Sequence, residues 1–224
     1  MKHLTAKLKI DVNEKVYVKS PDSSDLGKKI LSGSIDLIDE MGFESFTFKK
    51  LAERIKTTEA SIYRYFESKH KLLLYLSCWY WGWLEYRLVF STANITDSVE
   101  RLKRAVFILT DKLDESFEHP FINLKKLSTV IISESAKAYL TRDVDVENQE
   151  GVYEAYKNLI RRVSDLIKEI NPKYQYSHML VSTLIEGSHH QRFFSEHLPA
   201  LTDKINGRDV ISEFYSELAI KSVT

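Results

Sequence analysis

Glu59, Ala60, Ser61 and Arg64 lie close together in the stretch TTEASIYRYF. Positions three and four apart share one side of a helix. A short helix would therefore carry a carboxylate, a methyl, a hydroxyl and a guanidinium together on one face. Small polar groups and a forked arginine are the side chains that tell base edges apart in the major groove of DNA. Tyr63, Tyr65 and Lys69 flank this patch with phenol and ammonium donors of the kind that hold phosphate oxygens. Lys49 and Lys50, one element earlier, could reach the adjacent groove edge.

Other constellations invite different chemistry. GSHHQRFFSEH spaces Glu186, His190 and His197 near one helical face, with His189 alongside, which raises the alternative of a metal-dependent helical enzyme. Zinc needs three or four organised ligands with supporting hydrogen bonds, and histidines on helix surfaces are usually neither ligands nor catalysts. The reading assigns no metal, no cofactor and no catalytic residue. No Ser-His-Asp order, phosphate-cradling glycine loop or paired acidic motif stands out, so the chain does not read as an enzyme. The single cysteine, Cys78, sits in an apolar run and reads as a small buried hydrophobe. CWYWGWLEYRLVF concentrates Trp79, Tyr80, Trp81, Trp83 and Tyr86. Neighbours at one and two residues diverge on a helix, so these rings cannot all face one side. Trp79, Trp83 and Tyr86 suit either the wall of an apolar ligand pocket or ordinary core packing.

The elements that must position these groups are helical. Only 7 Gly and 4 Pro interrupt the chain, and the commonest residues favour helices. Ser24 reads as an N-cap, and Ile30, Leu31, Ile35, Leu37 and Ile38 give a stripe up to Gly42, which suits a left-handed C-terminal residue. Thr47 caps a helix over residues 48–55. A turn at Lys56-Thr57 follows. Thr58 then caps a third short helix, with Glu59 favourably placed in its first turn. Ser68 opens a fourth, longer helix over about residues 69–90. Further helices are expected at about 97–116, 122–141, 147–170, 175–197 and 208–222. Before them, Leu8, Ile10, Val12, Val16 and Val18 alternate with polar residues around Asn13-Glu14, predicting a short β-hairpin arm.

GFESFTFKKLAERIKTTEASIYRYFESKHKLL resembles the DNA-binding signature of the TetR family, with the likeness running over about Ser24–Leu76. It shows a Gly-aromatic pair, Phe-Thr, Leu-Ala, a cap, Ile-Tyr-x-aromatic-Phe, and a Lys before Leu-Leu. The resemblance implies an all-α protein. Residues 1–22 would be an arm, 23–68 a three-helix helix-turn-helix unit, and 69–224 a helical effector-binding and dimerisation domain. It implies a transcriptional regulator, a ligand-responsive repressor that binds a pseudo-palindromic operator as a homodimer. Thr47 would touch phosphate, and Lys49 would meet a base or the backbone. Thr58, Glu59, Ala60, Ser61 and Arg64 would form the reading face, and Tyr63, Tyr65 and Lys69 would bind phosphates. The partners implied are operator DNA, a second copy through the last two helices, and a small apolar or aromatic effector. A TetR-like partner-binding module without DNA binding is a further alternative. Lys56 departs from the family's usual turn glycine, at a cost of about 1 kcal/mol if it turns left-handed, and Thr57 replaces a small apolar residue. The arm is longer than the family norm.

Charge fits this picture. The 224 residues balance 32 basic against 32 acidic groups, which argues against nonspecific coating of nucleic acid. Yet residues 42–75 carry 7 basic and 4 acidic groups, an excess where a DNA reader needs it. No apolar run approaches the roughly 20 residues of a membrane span, so no membrane is expected, and a cytoplasmic location is.

Overall fold

The structure is a computed structural model that describes residues 10–113 and 119–224. Among them it holds eleven α-helices, three 3-10 turns and no strand. The helices are α1 (Asp25–Ser45), α2 (Phe48–Ile55), α3 (Glu59–Tyr63), α4 (Lys69–Thr92), α5 (Ser98–Thr110), α6 (Leu124–Glu134), α7 (Ala136–Tyr139), α8 (Val144–Gln149), α9 (Glu154–Ile170), α10 (Ser177–His197) and α11 (Val210–Val223). None is long and apolar enough to cross a membrane.

The hairpin expected before α1 falls partly on residues 1–9, outside the described residues. Its remainder is a strap with a 3-10 turn at Glu14–Val16. The Asn13 carboxamide accepts from the Lys15 N–H at 2.8 Å and donates to the Glu150 carbonyl at 3.0 Å. Val16 is fully buried while Val18 is exposed. The alternation thus reflects one side laid on helices, because a lone hairpin would have had no third strand to pair with.

The chain divides into two compact units. The first comprises Met1–Gly82 with Leu113–Ala155. Its three-helix head closes over Ile30, Leu31, Ile35, Leu51, Ile62 and Phe66, all fully buried. A Cβ on Gly33 would come within 2.6 Å of Ile55 Cγ2, so glycine lets α1 and α2 approach. Arg54 of α2 forks onto Glu40 of α1 at 3.0 and 2.5 Å. Lys126 of α6 holds Asp36 of α1 at 2.5 Å.

The first part of α4 is buried on every side from Leu72 to Trp81, which is the pattern of a core helix. That resolves the aromatic crowding, since each ring has its own neighbour. Trp79 meets His119 edge-on at 5.1 Å, and Tyr80 shares a 3.3 Å hydrogen bond with Ser128. The Cys78 thiol donates to the Val152 carbonyl at 3.0 Å, and burial pushes its pKa to about 12. Cys78 is therefore a thiol held in the core, not a thiolate. Near the start of α4, the buried carboxylate of Glu147 accepts from Tyr153 (2.7 Å), His70 (3.0 Å) and Lys71 (3.3 Å). Burial raises the pKa of Glu147, but those three partners outweigh it, and the net shift is downward.

The second unit comprises Trp83–Lys112 with Tyr156–Thr224. Here α5 packs on α11, and α10 packs on both. A Cβ on Gly187 would sit 2.5 Å from the Tyr215 hydroxyl, which is why α10 carries glycine there. Arg192 of α10 gathers the three helices. Its guanidinium reaches the Thr110 carbonyl that ends α5 (2.5 Å), and Asp209 (2.6 Å) and Ser212 (2.9 Å) at the start of α11. Asp209 also caps α11 by accepting from the Ser212 N–H at 3.2 Å.

Candidate nucleic-acid interface

The head is shaped by local chemistry that the sequence announces. α1 breaks at Gly42, whose φ of 75° only glycine takes readily. The Thr47 hydroxyl caps α2 by accepting from the Lys50 N–H at 3.2 Å, and Thr58 caps α3 by accepting from the Ser61 N–H at 3.2 Å. Between them Lys56 takes φ 56°, ψ 55°. The turn is thus kept left-handed, with Lys in place of glycine. Its N–H returns to carbonyls of α2, and the Thr57 N–H reaches Ala52 at 2.9 Å.

These caps present α3 outward. Glu59, Ala60 and Arg64 are exposed, as are Thr47, Lys49 and Thr58, and Ser61 is half-buried. The Ser61 hydroxyl lies 3.0 Å from that of Thr58. Tyr63 is 50% exposed and stands edge-on to Phe48, ring centres 5.0 Å apart. Its ring is fixed at the base while its hydroxyl end is free for a partner. Ile62 and Phe66, facing the other way, are fully buried. Thr47, Lys49, Thr58, Glu59, Ala60, Tyr63 and Arg64 are therefore all exposed side chains of the α2–α3 pair, with Ser61 half-buried beside Thr58.

Two residues expected among the phosphate contacts are used inside the fold. Tyr65 is only 4% exposed, and its hydroxyl is 2.7 Å from that of Ser24, the cap of α1. Lys69 is half-buried, with its ammonium donating to the carbonyls of Phe43 (3.0 Å), Glu44 (3.2 Å) and Phe46 (3.3 Å). Those carbonyls lie at the C-terminal end of α1, where they lack helical partners, and a cation is what their negative end attracts. The break at Gly42 frees the Phe43 N–H, which donates to buried Glu134 of α6 at 3.1 Å. Lys137 balances that carboxylate at 2.6 Å. Sequence reasoning missed Glu134 because its partner lies 91 positions away. Lys50, too, is turned inward, to the Ser45 carbonyl at 2.7 Å.

The aromatic trio is divided between the two units, Trp79 in the first and Trp83 and Tyr86 in the second. Trp79 and Trp83 are buried, with the Arg87 guanidinium 5.2 Å from the Trp83 ring, and Tyr86 packs on Phe90 with tilted rings, centres 4.4 Å apart. A groove of about 570 Å3 lies instead between α5 and α11, lined by Phe107, Ile220, Lys103 and Arg104 among others, and none of the trio lines it. The suspected metal ligands are likewise occupied elsewhere. Glu186 accepts from Tyr156 at 2.9 Å, His190 stacks with Phe194, and His197 packs on Phe193. His189 is buried, and burial, then His190 and Arg192, pull its pKa to about 4. No group of three or more His, Cys, Asp or Glu among the described residues could hold a metal ion.

Residues 30–76 match the family model described as bacterial regulatory proteins, tetR family. Residues 30–76 thus carry the likeness to the tetR family. That match spans the helix-turn-helix and the start of α4, the segment with which regulators of this kind bind DNA. No curated protein matches the chain in sequence. Solved structures share its fold over nearly the whole length. The fatty acid degradation regulator FadR from Bacillus halodurans is 18% identical, with a TM-score of 0.59, covering 87% of this chain and 93% of its own. The superantigen PfiT is 15% identical, with a TM-score of 0.57, covering 86% and 93%. AibR, solved with isovaleryl coenzyme A and operator DNA, is 15% identical, with a TM-score of 0.56, covering 85% and 97%. At such identities the likeness concerns fold.

Proposed function

We propose that this chain is a ligand-responsive repressor of the TetR family that binds a pseudo-palindromic operator as a homodimer. The observation that carries the reading is the outward face of α3. Its caps are satisfied locally, its apolar side is buried, and Glu59, Ala60, Tyr63 and Arg64 project from it. Arg64 and Ser61 read bases, with Glu59 and Ala60 shaping the face. Thr47, Lys49, Thr58 and Tyr63 hold the backbone at the groove edges, and Tyr65 and Lys69 brace the head from behind. Residues 23–68 form the DNA-reading part and 69–224 the responding part. A protein that regulates transcription works where the DNA is, in the cytoplasm.

Dimerisation through α10 and α11 is supported by an unsatisfied stripe. Tyr176 at the N-cap of α10, Met179 (67% exposed) and Phe193 on α10, and Phe214 and Leu218 on α11 stand in solvent at helical spacing. Exposed apolar side chains so arranged suit burial against an identical face in a bundle. A two-fold dimer presents two α3 helices to half-sites about 34–36 Å apart, or a multiple of that.

The groove between α5 and α11 is the proposed effector site. Its volume lies in the range of about 300–1,000 Å3 typical of small-ligand sites, and Phe107 and Ile220 suit an apolar or aromatic body. Asp209 and Ser212 line it and also grip Arg192 of α10. An occupant that disturbs this grip changes the relation of α10 to α11, and so favours one dimer state over another. It can do so only by its differential affinity for the two states. AibR, with isovaleryl coenzyme A and operator DNA in one structure, supports a regulator that answers to two such partners.

The test is selection of genomic DNA fragments by the purified protein at two salt concentrations. The reading expects enrichment of a two-fold-related site and affinity that falls steeply with salt. Weak binding without sequence preference would refute the operator-binding reading.

A further inference from the structure

The strap before α1 lies outside the segment that matches the family model, yet it is tied to the reading head. Val16 is fully buried, and the Val18 N–H donates to the Tyr65 carbonyl at 2.8 Å, just past the end of α3. On the other side of Lys19, Pro21 is buried so closely on α1 that a Cβ on Gly27 would lie 2.1 Å from its carbonyl oxygen. Asp22 accepts from the Tyr75 hydroxyl at 3.2 Å. The backbone of Lys19 is therefore pinned two residues or fewer from an anchor in each direction.

Its side chain is exposed, and its ammonium stands 5.2 Å from the centre of the Tyr65 ring. No carboxylate among the described residues pairs with it. Other basic residues of the strap and head are already engaged: Lys15 with Glu150, Arg54 with Glu40, Lys50 with the Ser45 carbonyl, and Lys69 with three carbonyls. Lys19 thus joins Lys49 and Arg64 as a cation left for an outside partner. It sits beside the residue that directly follows Arg64.

We propose that Lys19 is a phosphate-binding residue of the DNA interface, delivered by the strap and held over the Tyr65 ring as its platform. A helix in the major groove has backbone phosphates along its flanks, and Tyr65 marks the exit flank of α3. The family position taken by Tyr65 is thereby used indirectly. The phenol is spent on Ser24, and the ring supports a lysine that provides the charge. Holding the flexible lysine chain in place before binding reduces the entropy lost on contact. The proposal rests on the DNA-binding reading above.

The experiment measures affinity against salt concentration for wild type, Lys19→Ala and Lys19→Arg. The probes are the site enriched from genomic fragments and a mixed-sequence duplex a few helical turns long. A released phosphate contact flattens the log–log slope by about 0.9 for each protomer bound. Lys19→Ala is expected to show that flattening on both probes, with several-fold weaker binding at low salt, unchanged base preference and unchanged thermal melting. Lys19→Arg is expected to restore the slope. A slope unchanged in Lys19→Ala, whether or not affinity falls, overturns the phosphate contact and leaves the DNA-binding reading standing. A wild type that neither enriches a site nor responds to salt overturns both.

Discussion

α3 and the first part of α4 are near neighbours in sequence and opposites in use. In α3 the hydrogen bonds close locally, one face is buried, and Glu59, Ala60, Tyr63 and Arg64 are exposed. In α4 from Leu72 to Trp81 every residue is buried, and Tyr75, Cys78 and Tyr80 hydrogen-bond to Asp22, Val152 and Ser128 on the elements around it. Side chains that a fold does not use are free to be selected for recognition. Those enclosed on all sides are held by packing. Substitutions in the two helices should therefore separate cleanly, with α4 changes altering stability and α3 changes altering binding.

The largest effect should come from Trp79→Ala, which empties a fully buried ring position and should cost about 3–5 kcal/mol in urea unfolding. A loss under about 1 kcal/mol would show that α4 is not enclosed as described. Buried His189 should give the stability curve a slope in acid. An unfolded histidine titrates near 6.5, while the folded one holds out to about 4. Between those values the unfolded chain binds a proton that the folded chain does not, so stability falls as pH drops from about 6.5 to about 4, by about 3 kcal/mol in all. His189→Met should remove that contribution and leave a comparable one from His119, which burial also lowers to about 4.

Glu147→Gln should cost about 2 kcal/mol at neutral pH, since the carboxylate gathers Tyr153, His70 and Lys71. Its folded pKa is lowered, so its contribution is present above the ordinary carboxylate range and is lost as pH falls through the folded value. The penalty of the substitution should shrink in strong acid, which melting at several pH values would reveal. On the α3 side, Arg64→Ala should leave unfolding within about 0.5 kcal/mol of wild type. One change is a gain: Lys56→Gly should stabilise by up to about 1 kcal/mol, because φ 56° costs lysine what glycine does not pay. Destabilisation there would mean the lysine makes a contact that outweighs its backbone strain.

The same contrast explains what the sequence disclosed. Ser24, Thr47, Thr58 and Ser68 act within three residues of themselves, as does the left-handed step at Lys56. Cap and turn chemistry is written in consecutive letters, so the boundaries of α2 and the outward face of α3 were readable. The body was readable only as helices of approximate extent. The stretch expected as one helix over about 122–141 is two, α6 and α7, and the one over about 147–170 starts as α8 before α9. Exposed cations looked alike in the sequence. Whether Lys69 meets phosphate or three carbonyls depends on where the break at Gly42 turns the chain, and whether Tyr65 faces solvent depends on a strap dozens of residues earlier. The period-two pattern of that strap was real but ambiguous, since one buried and one exposed side serve a strap as well as a strand. Trp79, Trp83 and Tyr86 share a helical face, but spacing cannot say whether that face meets a cavity or other side chains.

The most direct test of the central claim is a selection of genomic DNA fragments run in parallel with wild type and Arg64→Ala. If the outward face of α3 reads bases, wild type enriches a two-fold-related site. Arg64→Ala relaxes preference at matching positions in each half, losing about 1–3 kcal/mol of discrimination there while melting like wild type. Identical preference in both proteins, at equal affinity, would contradict the assignment of α3 as the base-reading helix.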